Sequence, residues 1–187
     1  MPLESTIPNV LAGEAPLAAC GPLPAEMDNE AFAGFYERSA RSLWAYLARV
    51  SSDPALADDL VQESFVRFLC ADYPRDGEVA ARRYLFRIAT NLLRDHWRRP
   101  RSTSIDEIPE ELFAHQAHDD AVSQFVLSAA MAQLRPRDRQ LLWLAYAEGY
   151  SHREIADVTG LASASIRLLL FRARRKMAHL LRKGGQA

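Results

Sequence analysis

The sequence predicts an all-α protein: two small helical domains joined by a flexible acidic linker. Three observations predict it. The apolar residues are mostly Leu and Ala, with few β-branched runs, and no segment alternates as a strand would. Apolar positions recur at helical spacing between Pro, Gly and Ser punctuation. Charge is sorted: Ser102 to Leu134 holds six acids and no Lys or Arg, whereas Val158 to Ala187 holds seven Lys or Arg and no acid. The 187-residue chain is nearly neutral, with a formal net charge of −1. That length suits one domain or two small ones.

Residues 1–26 carry five of the ten prolines, no basic residue and no helical period, and read as a disordered leader. Helical patterning starts near Asp28 and runs to about Val50, with Phe32, Phe35, Leu43, Tyr46 and Leu47 as the expected buried set. Asp53-Pro54 starts a second helix, Asp as N-cap and Pro in the first turn, running to about Cys70. Tyr73 to Gly77 reads as a loop. A third helix spans about Glu78 to Arg99, and Pro100 stops it.

Ser102 to His118 reads as a linker with at most one short helix. Ala121 to Leu134 opens the second domain as an amphipathic helix. Pro136 starts the next, which ends near Gly149. Ser151-His152-Arg153-Glu154 is a capping box, because Ser and Glu three residues apart can each satisfy an orphan backbone N–H. Gly160 ends that short helix and Ser163 starts the last one.

Several classes are excluded. No apolar run is long enough to cross a bilayer, so no membrane insertion is expected. No Lys or Arg precedes Arg38, unlike the basic start of a secretory signal. Cys20 and Cys70 make no disulfide framework and are expected as free thiols in a cytoplasmic protein. His115, His118 and Asp119 lack a third well-placed His or Cys, so no metal and no cofactor are expected. Ser, His and Asp residues lie in no nucleophile motif, so an enzyme is not expected.

Three helices carry chemistry. In the last, Ile166, Leu170, Ala173 and Met177 share one face, while Ser165, Arg172 and Arg175 lie on or near the opposite one, with Arg167 at its edge. Behind a short supporting helix and a Gly160 turn, this is the layout of a helix-turn-helix whose second helix enters a major groove. In the third helix, Tyr84, Leu85, Ile88, Leu92 and Asp95 fall on one side, and Arg83, Arg87, Thr90, Arg94, Trp97 and Arg98 on the other. Arginines with an aromatic among them suit a phosphate backbone and an unstacked base. In the second helix, Asp59, Gln62, Glu63 and Val66 share a flank opposite Ala57, Leu60, Ser64 and Phe68. Like charges one turn apart on that flank favour a basic partner.

These segments resemble the extracytoplasmic-function branch of the sigma-70 family. Ala57 to Phe65 resembles the core-polymerase-binding helix, Tyr84 to Asp95 the helix that reads and opens the −10 element, and Gly149 to Ala156, followed by Ser165 to Arg167 and Phe171 to Arg174, the −35-reading helix-turn-helix. The resemblance implies region 2 over residues 27–100, an acidic linker over 101–120 and region 4 over 121–187. It implies a factor that directs promoter-specific initiation and lends the polymerase recognition, not catalysis. Asp59, Gln62 and Glu63 would dock on the β′ coiled-coil, and region 4 on the β flap. Arg87, Asn91, Arg94, Trp97, Arg98 and Arg99 would face −10 DNA. Ser163, Ser165, Arg167, Leu168, Arg172 and Arg175 would face the −35 element. An anti-sigma factor is a further implied partner.

Leu168 and Leu169 depart from the family, which usually has polar or basic residues there. Either thymine methyl groups are read at that face, or a protein covers it before DNA does. Two rival readings remain: a stand-alone helix-turn-helix regulator, and a sigma-like protein that binds polymerase or an anti-sigma factor without reading DNA. The first leaves the Asp59 flank without a purpose.

Overall fold

The computed structural model describes residues 29–71, 77–98 and 121–184, and among them every regular element is a helix. The seven are α1 (Asn29–Ser51), α2 (Pro54–Cys70), α3 (Glu78–Arg98), α4 (Ala121–Ala132), α5 (Pro136–Tyr146), α6 (His152–Thr159) and α7 (Ser163–Gly184). The expected leader, the Tyr73 loop, the acidic linker, Arg99, Cys20 and the His115 group fall outside these residues, Gly77 of that loop excepted.

Helices α1 to α3 pack as one unit. The chain reverses between α1 and α2 at Ser52, the one non-glycine residue with positive φ (61°) among those described. Asp53 then caps α2, its carboxylate accepting from the Leu56 N–H at 3.0 Å, and Pro54 occupies the first turn, where a missing N–H costs nothing. Phe35, Leu43, Leu47, Leu60, Phe65, Phe68, Leu85 and Leu93 are buried together. The Phe35 and Phe68 rings stack with centroids 5.0 Å apart.

The second unit centres on α6 and α7. Ser151 receives the Glu154 N–H, and a Glu154 oxygen receives the Ser151 N–H at 2.9 Å, so the capping box closes. Gly160 ends α6 at φ 69°, a left-handed conformation costly for a residue with a Cβ. Ile155 of α6 and Ile166 and Leu170 of α7 are buried against each other's layer. Helices α4 and α5 brace the far part of α7, where Leu134, Leu142 and Ala173 bury with Met131, Met177 and Leu180 around them.

The two units are not beads on a string. Tyr46, Leu85 and Phe86 belong to the same continuous apolar cluster as Leu141, Leu144 and Ile155. The Phe86 and Tyr150 rings meet edge-on at 6.0 Å. Three sequence expectations need correction. Thr90 is buried, not on the basic face of α3, because its hydroxyl hydrogen-bonds the Tyr46 hydroxyl at 2.7 Å. Asp95 is exposed, because the stripe of α3 buried against α1, α2 and α6 runs through Leu85, Ala89, Leu92 and Leu93 and leaves Asp95 outside it. Cys70 is disulfide-bonded and no described cysteine is free.

Candidate nucleic-acid interface

The acidic flank of α2 faces outward as its periodicity requires. Ala57, Leu60, Val61, Ser64, Phe65 and Phe68 are buried, which leaves Asp59 and Gln62 exposed and Glu63 at the edge. Arg67 reaches back one turn to Glu63 at 2.6 Å and offsets part of the Asp59–Glu63 repulsion. Val66 is exposed beside them.

On α3 the arginines divide into two groups. Arg87 and Arg98 are exposed, and Trp97 is 40% exposed, so its indole face is reachable. Arg83 instead donates to Glu154 of α6 at 2.8 Å. Arg94 donates to the Asn91 side-chain oxygen and, at 3.3 Å, to the Thr159 carbonyl at the end of α6. A cation there satisfies a carbonyl that the helix C-terminus leaves free. The structure thus brings Asn91 and Arg94 together, but it does so at the contact between the two units.

On α7, Ile166, Leu170 and Ala173 are buried. Ser163, Ser165, Arg167, Leu168, Arg172 and Arg175 are all exposed, on the first four turns. Leu169, one of the two anomalous leucines, packs on the core and needs no ligand to explain it. The helix carries seven Lys or Arg and no acid. Its N-terminal turns follow the α6 cap and the Gly160 turn, which is the arrangement that lets side chains reach base edges in a major groove.

Sequence reasoning missed the polar network that joins the units. Glu148, in the turn before α6, is only 3% exposed at its side chain. It accepts from Arg82 of α3 at 2.7 Å, from Ser42 of α1 at 2.7 Å and from the Trp143 indole at 3.2 Å. Gln140 donates to the Tyr46 hydroxyl at 2.7 Å, and Arg49 donates to Ser128 at 2.5 Å. Burial pushes the Tyr46 phenol up to about 12, despite the opposing hydrogen bonds from Thr90 and Gln140. No local sequence signal announces partners 66 to 106 residues apart.

Comparison with known proteins agrees with the layout. Residues 35–103 match the family model for Sigma-70 region 2, and residues 124–177 match that for Sigma-70, region 4. The ECF RNA polymerase sigma factor SigL of Mycobacterium tuberculosis is 30% identical over 159 residues, covering 80% of this chain and 88% of that protein. The ECF RNA polymerase sigma factor SigM of Bacillus subtilis is 26% identical over 155 residues, covering 80% and 94%. The fold is like that of the sigma factor RpoE co-crystallised with the anti-sigma factor NepR from Bartonella quintana. That match has a TM-score of 0.67 at 21% identity and covers 81% of this chain and 96% of that one. Two region models in the expected order, and a relative at this identity over nearly its whole length, place the chain in the extracytoplasmic-function branch of the sigma-70 family: it is an RNA polymerase sigma factor.

Proposed function

We propose that the two exposed faces divide the work of initiation between them. Asp59, Gln62 and Glu63 on α2 dock on the basic β′ coiled-coil of core polymerase, and region 4 also rests on the β flap. Arg87, Asn91, Arg94, Trp97 and Arg98, with Arg99 beyond the described residues, engage the −10 element as it melts. Ser163, Ser165, Arg167, Leu168, Arg172 and Arg175 engage the −35 element. Residues 27–100 and 121–187 act as the two functional units, and residues 101–120 connect them. The sigma factor itself catalyses nothing; the polymerase supplies the chemistry. An anti-sigma factor is the expected inhibitory partner, a reading supported by the partners named with structurally similar sigma factors.

One observation carries this reading: the exposed flank of α2 presents carboxylates, while every charged residue of α7 is a cation. Opposite charge on two faces fits a chain that bridges a basic protein surface and a polyanion. Arg83 and Arg94 are used inside the contact between the units, so the arrangement seen is a resting one. Engaging both promoter elements requires the units to part. Once both are tethered to one polymerase, weak individual contacts add through effective concentration.

The experiment is co-purification of the full chain with core polymerase. Asp59→Arg combined with Glu63→Arg abolishes binding while helical content survives, since both residues lie at the surface. Undiminished capture of the double variant refutes the α2 assignment.

A further inference from the structure

Leu168 is 50% exposed on the second turn of α7, and Phe171, one turn on, is 49% exposed. They are two of the eight large apolar side chains left exposed among the described residues, and they adjoin on one helix face. Single exposed leucines are ordinary. This one differs in its surroundings. Arg167, Arg172 and Arg175 are exposed on the same side of the helix, and α7 has no acid. The Arg175 guanidinium lies 5.9 Å from the Phe171 ring centroid, within cation–π range. The neighbouring Leu169 packs inward, so the apolar feature offered to a ligand is narrow: one branched side chain and one ring a turn away.

An occupant must suit both the apolar centre and the purely cationic rim. An apolar protein helix matches the centre, but it would have to carry acids at its margin to match the rim. Duplex DNA matches both at once. Its phosphates meet the arginines, and its major groove displays a single kind of methyl group, the 5-methyl of thymine. We propose that Leu168 is a specificity-determining residue that selects thymine within the −35 element by packing on that methyl group, with Phe171 as its backing. The proposal rests on the assignment of α7 as the −35-reading helix.

The test uses holoenzyme reconstituted from core polymerase and the full chain. A promoter is first selected from a library randomised at −35. Each thymine of the −35 element, on either strand, is then replaced in turn by deoxyuridine, which lacks only the methyl group. At one position the replacement weakens holoenzyme affinity about fourfold, the effect of returning one methyl group to water. Leu168→Ala, a surface change that leaves the core intact, weakens binding to the thymine promoter by a similar factor and removes the difference between thymine and deoxyuridine. The inference is overturned if wild-type holoenzyme never distinguishes the two bases, or if Leu168→Ala still does. It is also overturned, together with the underlying assignment, if scrambling the whole −35 element leaves affinity unchanged. Loss of anti-sigma-factor binding by Leu168→Ala without any methyl effect overturns it in favour of a protein cover.

Discussion

Arg82 on α3 donates to Glu148 at 2.7 Å across the contact between the two helical units, and the receiving carboxylate is almost wholly enclosed. The two partners are unequally placed: about a third of the Arg82 side chain still reaches water. Removing the arginine strands a buried charge, whereas removing the carboxylate leaves a cation that water can serve. Arg82→Ala is therefore expected to cost about 3 kcal/mol of stability, and Glu148→Gln about half of that, since the amide still accepts from Ser42 and Trp143. Urea denaturation of the two variants checks the order. Equal costs would mean that the carboxylate is reached by water.

Tyr46 gives the fold an alkaline limit. Its phenol is lifted from 10.0 to about 12, mainly by burial. Below pH 10 both folded and unfolded chains keep the proton, and the contribution is constant. Between pH 10 and about 12 the unfolded chain ionises while the folded one does not, so stability falls as pH rises. Tyr46→Phe costs about 1 to 3 kcal/mol near neutrality by stranding Thr90 and Gln140. It also flattens the loss between pH 10 and 12, which denaturation midpoints at pH 9 and 11 would reveal.

Glu154 works at the acid end. Two hydrogen bonds from Ser151 hold its carboxyl below the usual 4.5, Arg83 adds to the effect, and burial opposes it. The stability linked to it is present above that value and is lost as pH falls below it. Glu154→Ala costs about 1 kcal/mol at neutral pH through loss of the capping box. Glu154→Gln has a shallower acid dependence than the parent, measured by thermal midpoints between pH 5 and 3.

Arg172 tests the DNA face of α7. Arg172→Ala weakens binding to the −35 element while leaving affinity for core polymerase intact, since the side chain is exposed and the fold does not depend on it. With about four phosphates contacted, affinity against salt has a log–log slope of about −3.6, and loss of one phosphate contact lowers its magnitude by about 0.9. An unchanged promoter affinity would move the reading surface elsewhere.

The helices were legible in the chain because their signals are local. Asp53-Pro54, Ser151 with Glu154, and Gly160 each act within one turn, and each sits where spacing predicts. The acidic flank of α2 and the basic face of α7 were legible for the same reason, since 3.6-residue periodicity assigns a face without tertiary knowledge. Thr90 and Asp95 were misplaced because α3 packs against α1, α2 and α6 together, and a single apolar stripe cannot describe that. Glu148 was invisible because its three partners come from α1, α3 and α5. The closure of the two units, which occupies Arg83 and Arg94, is a property of pairs remote in sequence.

The most direct measurement is transcription in vitro from a library of promoters, with purified core polymerase and this chain as the only added factor. Start sites that share one −35 and one −10 sequence, appearing only when the chain is present and disappearing with the Asp59→Arg, Glu63→Arg double variant, are the predicted result. Core enzyme that neither binds the chain nor gains any start-site preference from it would contradict the account.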